Sequence, residues 1–442
     1  MTIRHIFSKT GIRRLHQAGS DFFHNNFVVG VLWNFVSLGL LSISGILIHI
    51  LIGAHYTSRG LGVFSQAFSI YSILAIFAVL GINISVVKYS AEFSENGKEL
   101  KEILSAAYIT AAATSLIFSL LAWYLRAPLS MFFKSPEVAP ALRSFIIGIP
   151  MLSLNKVSLG LLNGLRKMKL YAIYQSLRWI LLLVFVLASI LLGQKLQTTI
   201  LAFPTVELIL FLCMFPYMKR YFDLHFSLKK LLPWVKRHLS FGGKTLTAGA
   251  MSDINAKVDI LMIGYFMSDQ AVGVYSLAAA AARGMLSFTF IIRINFNPVI
   301  SKLYSEGKKP ELTLLIRRLI KNTYFLFVPL AAVAVIVFPP IVRIFWQNSV
   351  YSSVIVPFYI LLFGITLLSG FNICGSLLTQ AGFPEFQLYR ACLTLIFNLA
   401  ANALLIPSMG IIGAALATSA SFLLTMGLLY YYTKRKLDIR IV

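Results

Sequence analysis

Long apolar stretches recur along the chain, and each is close to the length that an α-helix needs to cross a bilayer. A crossing takes roughly 20 apolar residues. The stretches are separated by polar residues or by Gly and Pro, and they lie at 27–52, 61–87, 103–125, 138–163, 171–193, 199–218, 241–264, 272–300, 313–338, 354–379, 387–406 and 411–432. The pattern predicts an all-α polytopic membrane protein with twelve transmembrane helices.

Basic residues are distributed unevenly between the segments that connect these spans. Taking alternate connections together with the two tails places 26 Lys and Arg on one side of the membrane and 5 on the other. Because cytoplasmic loops carry the excess of Lys and Arg, we expect both termini in the cytoplasm. The predicted parts are a cytoplasmic or interfacial N-terminal segment (1–26), an N-terminal lobe of helices 1–6 (27–218) and a basic cytoplasmic linker (219–240). A C-terminal lobe of helices 7–12 (241–432) and a basic cytoplasmic tail (433–442) follow.

An internal repeat relates the two halves of the chain. Residues 52–98 align with residues 263–309 at a constant offset of 211, and the matched pairs include Gly53/Gly264, Gly62/Gly273, Val63/Val274, Ser65/Ser276 and Ala67/Ala278. Six spans separate the copies, so both lobes insert with the same topology and are related by an axis along the membrane normal. We therefore predict two pseudo-symmetric six-helix lobes around a central cavity, which is the architecture of alternating access.

Composition supports the membrane class and removes several others. The chain is 58% hydrophobic and 12% charged, with a mean hydropathy of +0.81, whereas soluble domains carry about 25% charged residues. The net charge of +24 is explained mostly by basic loops beside anionic headgroups, so no nucleic-acid partner is predicted. The three cysteines lie in apolar stretches without metal spacing, and no phosphate-binding loop is present. We expect no metal, no cofactor and no catalytic residues.

Three stretches carry a family resemblance. They are GVFS at 62–65, VDILMIGYFMSDQAVGVYSLA at 258–278 and NLAANALLIPSMGIIGAALATSAS at 398–421. In order and spacing they resemble the polysaccharide flippases, Wzx-type O-antigen flippases among them, of the multidrug/oligosaccharidyl-lipid/polysaccharide (MOP) exporter superfamily. The resemblance covers essentially the whole chain.

The resemblance implies a function. Such a protein flips an undecaprenyl-diphosphate-linked oligosaccharide, the repeat unit of O-antigen in lipopolysaccharide or of a similar surface polysaccharide. It moves this cargo from the cytoplasmic to the periplasmic leaflet of the bacterial inner membrane. The expected partners are the lipid-linked glycan and membrane lipids, and the expected functional unit is the monomer.

Arg317, Arg318 and Lys321 lie at the start of span 313–338 and are counted with the loop before it. Beyond these, eight basic residues fall within the predicted spans against three acidic ones, although a charge at the centre of a span costs roughly 2.5–3.5 kcal/mol on insertion scales. The basic set is Arg143, Lys156, Arg178, Lys244, Lys257, Arg283, Arg293 and Arg390, and the acidic set is Glu207, Asp253 and Asp259. An arginine fork matches phosphate oxygens and stays charged, so Arg283 and Arg293 are predicted to bind the diphosphate. Lys257, Lys156 and Lys244 complete the predicted substrate-binding set. The other three arginines lie near span ends, where snorkelling to headgroups explains them equally well.

Two of the acidic residues are candidates for ion coupling or gating. Asp253 and Lys257 are four residues apart on one helical face and can pair with each other. Protonation of Asp253, or an anion at Lys257, would separate the pair, and a proton and Na⁺ are both open as the coupling ion. Asp259 matches the acidic position of the family's seventh-span motif and joins Asp253 as a candidate, with a structural role as the alternative.

Two other function classes compete with the flippase. An ion-coupled drug or metabolite antiporter of the same superfamily would prefer cationic substrates and acidic cavity residues, which the surplus of embedded basic residues disfavours. A membrane-embedded glycan enzyme would need acidic residues at a membrane face. Glutamates do cluster there, at Glu92, Glu95, Glu99 and Glu102, but the repeat of SENGK (94–98) as SEGKK (305–309) favours a structural loop.

Overall fold

The structure is a computed structural model that describes residues 26–222, 228–345, 353–439 and 441. Within these residues the chain is built from helices and contains no strand. The N-terminal lobe holds α1 (Asn26–Val79), α2 (Ile82–Glu92), α3 (Gly97–Phe132), α4 (Val138–Ile146), α5 (Ile149–Gly164), α6 (Met168–Leu191), α7 (Leu196–Ile200) and α8 (Ala202–Met218). The C-terminal lobe holds α9 (Leu228–Phe266), α10 (Asp269–Ser305), α11 (Lys309–Phe345), α12 (Ile355–Asn372), α13 (Leu377–Gln380) and α14 (Pro384–Tyr432).

The lengths of the helices confirm an all-α polytopic membrane protein. Among the described residues, eight helices are long and apolar enough to cross a membrane, or nine if α4 and α5, which meet at 44°, form one span. At 54 residues α1 would reach about 80 Å, far more than one crossing needs. Thr57 and Gly410 leave helical geometry inside α1 and α14, and each of these helices is long enough for two crossings. The exact number of twelve stays a prediction.

The parts of the chain expected outside the membrane are only partly described. Of the predicted N-terminal segment 1–26, all but Asn26 lie outside the described residues. Helix α9 begins at Leu228, so much of the predicted linker 219–240 belongs to a helix that continues into the predicted seventh span. The tail folds back onto the C-terminal lobe, since Leu437, Ile439 and Ile441 are buried in its core.

The packing of the lobes differs between the two ends of the molecule. At one end they share a single apolar core that includes Phe64 of α1 and Tyr275 of α10. At the other end each lobe has its own core, around Leu104 in the N-terminal lobe and around Leu312 in the C-terminal lobe. In the part of the chain that the structure describes, α9 joins the lobes at this end through Trp234, which packs against α3. The lobes are therefore closed at the first end and separate at the second.

The closed end rests on a contact between the two copies of the repeat. A Cβ atom on Gly62 would lie 1.7 Å from the Asp269 carbonyl oxygen, and one on Gly273 would lie 1.8 Å from the Ser58 carbonyl oxygen. Asp269 follows Ser58 by 211 positions, as Gly273 follows Gly62, so the contact is reciprocal. Close backbone approach at small residues is a common way to join membrane helices.

A carboxylate reinforces the same end. The Asp269 side chain accepts hydrogen bonds from Gln66 Nε2 at 2.6 Å and from Ser135 Oγ at 2.7 Å. Both donors belong to the N-terminal lobe, so one acidic side chain at the start of α10 ties the two lobes together.

Candidate functional site: two basic cavities on either side of α9

Helix α9 lies between two cavities, whereas the sequence predicted a single central cavity. A cavity of about 620 Å³ lies within the C-terminal lobe, and its described lining comes from α9, α10, α12, α13, α14 and the short connections beside α13. A second, of about 330 Å³, is lined by α1, α5, α6 and α8 of the N-terminal lobe together with α9. Asp253 and Ala256 line both. The space predicted between the lobes is thus divided along α9.

Three arginines reach the C-terminal cavity. Arg283 and Arg293 line it from α10 and Arg390 lines it from α14, with Asp253 and Asp259 as the acidic residues of α9. Ten residues separate the two arginines of α10, which places them about 15 Å apart along the helix axis. The cavity is therefore basic over much of its depth.

Arg283 is held by an acidic partner on the neighbouring helix. Its Nη2 atom lies 3.4 Å from Asp259 Oδ2, and its side chain is 27% exposed against 2% for Asp259. Arg283 also donates to the carbonyl oxygens of Ala279 (Nε, 3.3 Å) and Ala256 (Nη1). The Asp259 carboxylate in turn accepts from the Tyr275 hydroxyl at 2.6 Å and from the Ile260 amide at 2.9 Å. Asp259 is buried and satisfied, as expected for its structural alternative.

Arg293 and Arg390 meet at Gly375, close to the end of the cavity that adjoins the separate core of this lobe. Arg390 Nη2 donates to the Gly375 carbonyl oxygen at 2.8 Å. A Cβ atom on Gly375 would lie only 2.6 Å from Arg293 Nη1, so the absent side chain leaves room for that guanidinium. No carboxylate lies within 4 Å of either arginine in the described ranges.

The cavity of the N-terminal lobe contains a neutralised arginine and two lysines. Arg178 forms a two-pronged pair with Glu207, at 2.9 Å from Nε to Oε1 and 3.1 Å from Nη2 to Oε2. Asn155 Nδ2 donates to Glu207 Oε2 at 2.7 Å. Lys156 and Lys257 line the same space, and the Lys257 ammonium lies 4.9 Å from the centre of the Phe68 ring.

The predicted site residues are brought together only in part. Arg283 and Arg293 share the C-terminal cavity, whereas Lys156 and Lys257 line the other one. Asp253 and Lys257 sit one turn apart as predicted but are not within ion-pairing distance of 4 Å. Lys244 is exposed and lines neither cavity.

Two arginines have surroundings that the sequence did not indicate. Arg178 pairs with Glu207, and Arg390 is buried beside the C-terminal cavity, although both lie near the ends of predicted spans, where snorkelling was an equal expectation. Glu207 is the sole acidic residue of its predicted span, and a lone embedded carboxylate calls for a basic partner. That signal calls for a basic partner without identifying Arg178, and no comparable signal marks Arg390.

Possible metal ligands are dispersed in the described part of the chain. It contains no group of three or more His, Cys, Asp or Glu side chains arranged to hold a metal ion. Cys213, Cys374 and Cys392 are free thiols.

A family model described as "Polysaccharide biosynthesis protein" matches residues 57–355, which is more than half of the chain. The chain belongs to this family. The match covers the described lining of the smaller cavity and the part of the C-terminal cavity that α9 and α10 line, including Asp253, Lys257, Arg283 and Arg293.

Two curated relatives match part of this family member. The uncharacterized membrane protein MJ1068 of Methanocaldococcus jannaschii is 29% identical over 185 residues, 42% of this chain and 36% of the relative. The probable low-salt glycan biosynthesis flippase Agl15 of Haloferax volcanii is 25% identical over 186 residues, 41% of this chain and 39% of the relative. The match therefore spans less than two fifths of the length of either relative.

Two solved structures share the fold of this chain. The lipid II flippase MurJ in an inward closed conformation has a TM-score of 0.75 at 16% identity, over 92% of this chain and 87% of that one. An inward-facing MATE multidrug transporter of the MOP superfamily has a TM-score of 0.72 at 15% identity, over 90% and 94%. The family match and the long apolar helices support a multi-pass membrane protein, and the chain shares its fold with this flippase and this transporter.

Proposed function

We propose that this chain flips a polyprenyl-diphosphate-linked oligosaccharide between the two leaflets of a membrane by alternating access. The observation that carries the proposal is the C-terminal cavity, in which Arg283, Arg293 and Arg390 outnumber two aspartates, one of them already paired. Guanidinium groups bind phosphate through two parallel hydrogen bonds and stay charged in a low dielectric. A cationic drug would meet repulsion in the same space, which disfavours the antiporter.

The chemistry of the cargo indicates where each of its three parts lies. The diphosphate binds arginines in the C-terminal cavity, and the glycan fills the polar space around α9. The apolar lipid tail stays in the bilayer, because its transfer into a wet cavity would cost about 0.8 kcal/mol for each methylene. Undecaprenyl is the expected carrier in a bacterium, and the expected direction is from the cytoplasmic to the periplasmic leaflet, with the cargo entering where the lobes are separate.

An exchange of partners at Arg283 couples binding to movement. An anion that reaches Arg283 competes with Asp259, which joins α9 to α10. A ligand shifts a conformational equilibrium only by its differential affinity for the two states, and loss of this inter-helix pair supplies such a difference. Lys257 and Lys156 then bind the glycan, in the smaller cavity. Asp253, exposed and shared by both cavities, is our candidate for a coupling proton or Na⁺ on the return step.

The test measures flipping directly. The purified chain is reconstituted in liposomes with a fluorescent polyprenyl-diphosphate oligosaccharide, and transfer between leaflets is followed by quenching of the outer leaflet. We expect Arg283→Ala to abolish transfer and Arg283→Lys to restore it only in part, since lysine keeps the charge but loses the fork. Arg143→Gln, which removes an exposed arginine outside both cavities, is the matched control. Normal transfer by Arg283→Ala at normal insertion would remove Arg283 from the mechanism.

A second readout decides the function class. In a cell that carries the gene, its deletion should remove one surface glycan while leaving resistance to cationic dyes unchanged. The opposite result, intact glycan with increased dye sensitivity, would favour the antiporter.

A further inference from the structure

The embedded arginines of the two cavities form two groups, one with a neutralising carboxylate partner and one without. Arg178 is paired with Glu207 and Arg283 with Asp259. Arg293 and Arg390 have no such partner in the described residues, yet both guanidiniums lie against the same residue, Gly375. Two neighbouring cations without a counter-charge are costly inside a membrane unless an anion joins them.

Hydrogen bonding at Arg390 is also incomplete. The residue is only 8% exposed, and its Nη2 bonds to Gly375, but its Nε is buried without a partner in the described part of the chain. Most buried side-chain polar atoms have a hydrogen-bond partner, so an exception of this kind calls for an explanation. An open donor on a buried, unneutralised guanidinium beside a cavity is an arrangement that a ligand oxygen completes.

The glycine between them makes the arrangement possible. The Cβ of any other residue at position 375 would lie 2.6 Å from Arg293 Nη1 and would displace that guanidinium. The neighbouring lining residues Asn297 and Ser376 are neutral and hydrogen-bonded to each other at 2.9 Å. The surroundings thus offer polar contacts without a competing negative charge.

We infer that Arg293 and Arg390 form a separate diphosphate site, the first station of the anion in the C-terminal cavity, which it occupies before it reaches Arg283. Two forked guanidiniums match two phosphoryl groups, one fork for each. The inference rests on the proposed function and refines it. Arg283 is already neutralised by Asp259, so a free anion binds first where no carboxylate has to be displaced.

The position of the pair along the cavity agrees with this order. Arg293 lies about 15 Å from Arg283 along α10, next to the core at which the lobes are separate, which includes Cys374 and Leu377. By the charge distribution of the loops this end is the cytoplasmic one. A lipid-linked diphosphate that arrives from that side passes the Arg293–Arg390 pair before it meets Arg283.

The test is equilibrium binding of farnesyl diphosphate to the full chain in nanodiscs of zwitterionic lipid. Arg293→Gln and Arg390→Gln should each weaken binding roughly 10- to 100-fold, the usual range for a lost charge-assisted hydrogen bond. Gly375→Ala keeps both charges and should weaken binding several-fold by displacing Arg293. Arg143→Gln should bind like the unsubstituted protein. Melting temperatures in the same nanodiscs identify variants that fail to fold. If a glutamine variant fails to fold, Arg293→Lys and Gly375→Ala still test the site, because both keep its positive charges.

Competition identifies the source of the anion. Inorganic pyrophosphate should compete at the same site, whereas phosphatidylglycerol added to the nanodiscs should compete only weakly. Equal competition by phosphatidylglycerol would assign the pair to bulk lipid headgroups and overturn the inference. Unchanged farnesyl diphosphate binding in folded Arg293→Gln and Arg390→Gln would overturn it as well. The flipping assay tests the proposed function independently of this binding test. Flipping by the unsubstituted protein would support that function even if the diphosphate site is wrong, and absence of flipping would contradict it.

Discussion

At the scale of single residues, compensation of charge distinguishes the embedded side chains better than their depth in a span does. Glu207 and Arg178 lie 29 positions apart in the chain, yet they form a largely buried ion pair in the N-terminal lobe. The sequence predicts that such charges must pair, line water or snorkel. It does not show which residue on another helix supplies the partner, because that depends on how helices pack.

A double-mutant cycle measures this pair. Arg178→Gln leaves the Glu207 carboxylate buried without its counter-charge, so we expect the free energy of unfolding to fall by about 3–5 kcal/mol. The double variant Arg178→Gln/Glu207→Gln should recover much of the loss, since two neutral amides can bond to each other. Thermal unfolding in detergent provides the measurement. If the double variant melts no higher than Arg178→Gln, the pair is not the source of the stability.

At the scale of elements, the apolar runs predict the positions of the helices well. Of the breaks inside α1 and α14, the sequence predicts the one in α14. The predicted gap between 406 and 411 contains Gly410, which has a positive φ of 59° and breaks α14. The gap between 52 and 61 contains the break of α1, but it falls at Thr57, with φ 64°. A β-branched residue rarely adopts this conformation, so propensity could not have identified it. Burial of apolar surface around the joined helices outweighs the local strain.

The strain at Thr57 is open to experiment. Glycine adopts positive φ freely, so Thr57→Gly should release about 1–3 kcal/mol of strain at a cost of about 0.5–1 kcal/mol in chain entropy. We expect a modest rise in melting temperature. Thr57→Ala keeps the Cβ atom and hence the strain, and since Thr57 is exposed the variant should melt like the unsubstituted protein. A gain in Thr57→Ala equal to that in Thr57→Gly would show that the backbone is not the cause.

At the scale of the whole molecule, the repeat explains how two lobes close against each other. The same local sequence occurs in both halves, and each copy presents a glycine to the backbone of the other. Two lobes were predictable from the repeat, but the place where they touch was not, because contact between copies depends on the axis that relates them. The division of the cavity by α9 was likewise unpredictable, since α9 packs on helices of both lobes.

The reciprocity of this contact leads to a matched pair of variants. A leucine at Gly62 or at Gly273 would place its Cβ less than 2 Å from a backbone oxygen of the other lobe, and backbone cannot move aside as a side-chain tip can. Overpacking of this kind costs typically 1–3 kcal/mol or more. That is enough to shift a two-state equilibrium whose states differ by a few kcal/mol.

Spin labels on Lys134→Cys and Gln270→Cys, exposed residues on the two lobes at this end, report the closure in a background without the native cysteines. We expect Gly62→Leu and Gly273→Leu to lengthen the label distance alike and to slow flipping alike, because each removes one half of the same symmetric contact. Gly39→Leu, on the same helix as Gly62 but with no atom within 4 Å of its Cβ position, should leave the distance unchanged. A longer distance in one glycine variant and not in the other would mean that the two copies of the repeat do not close as equals.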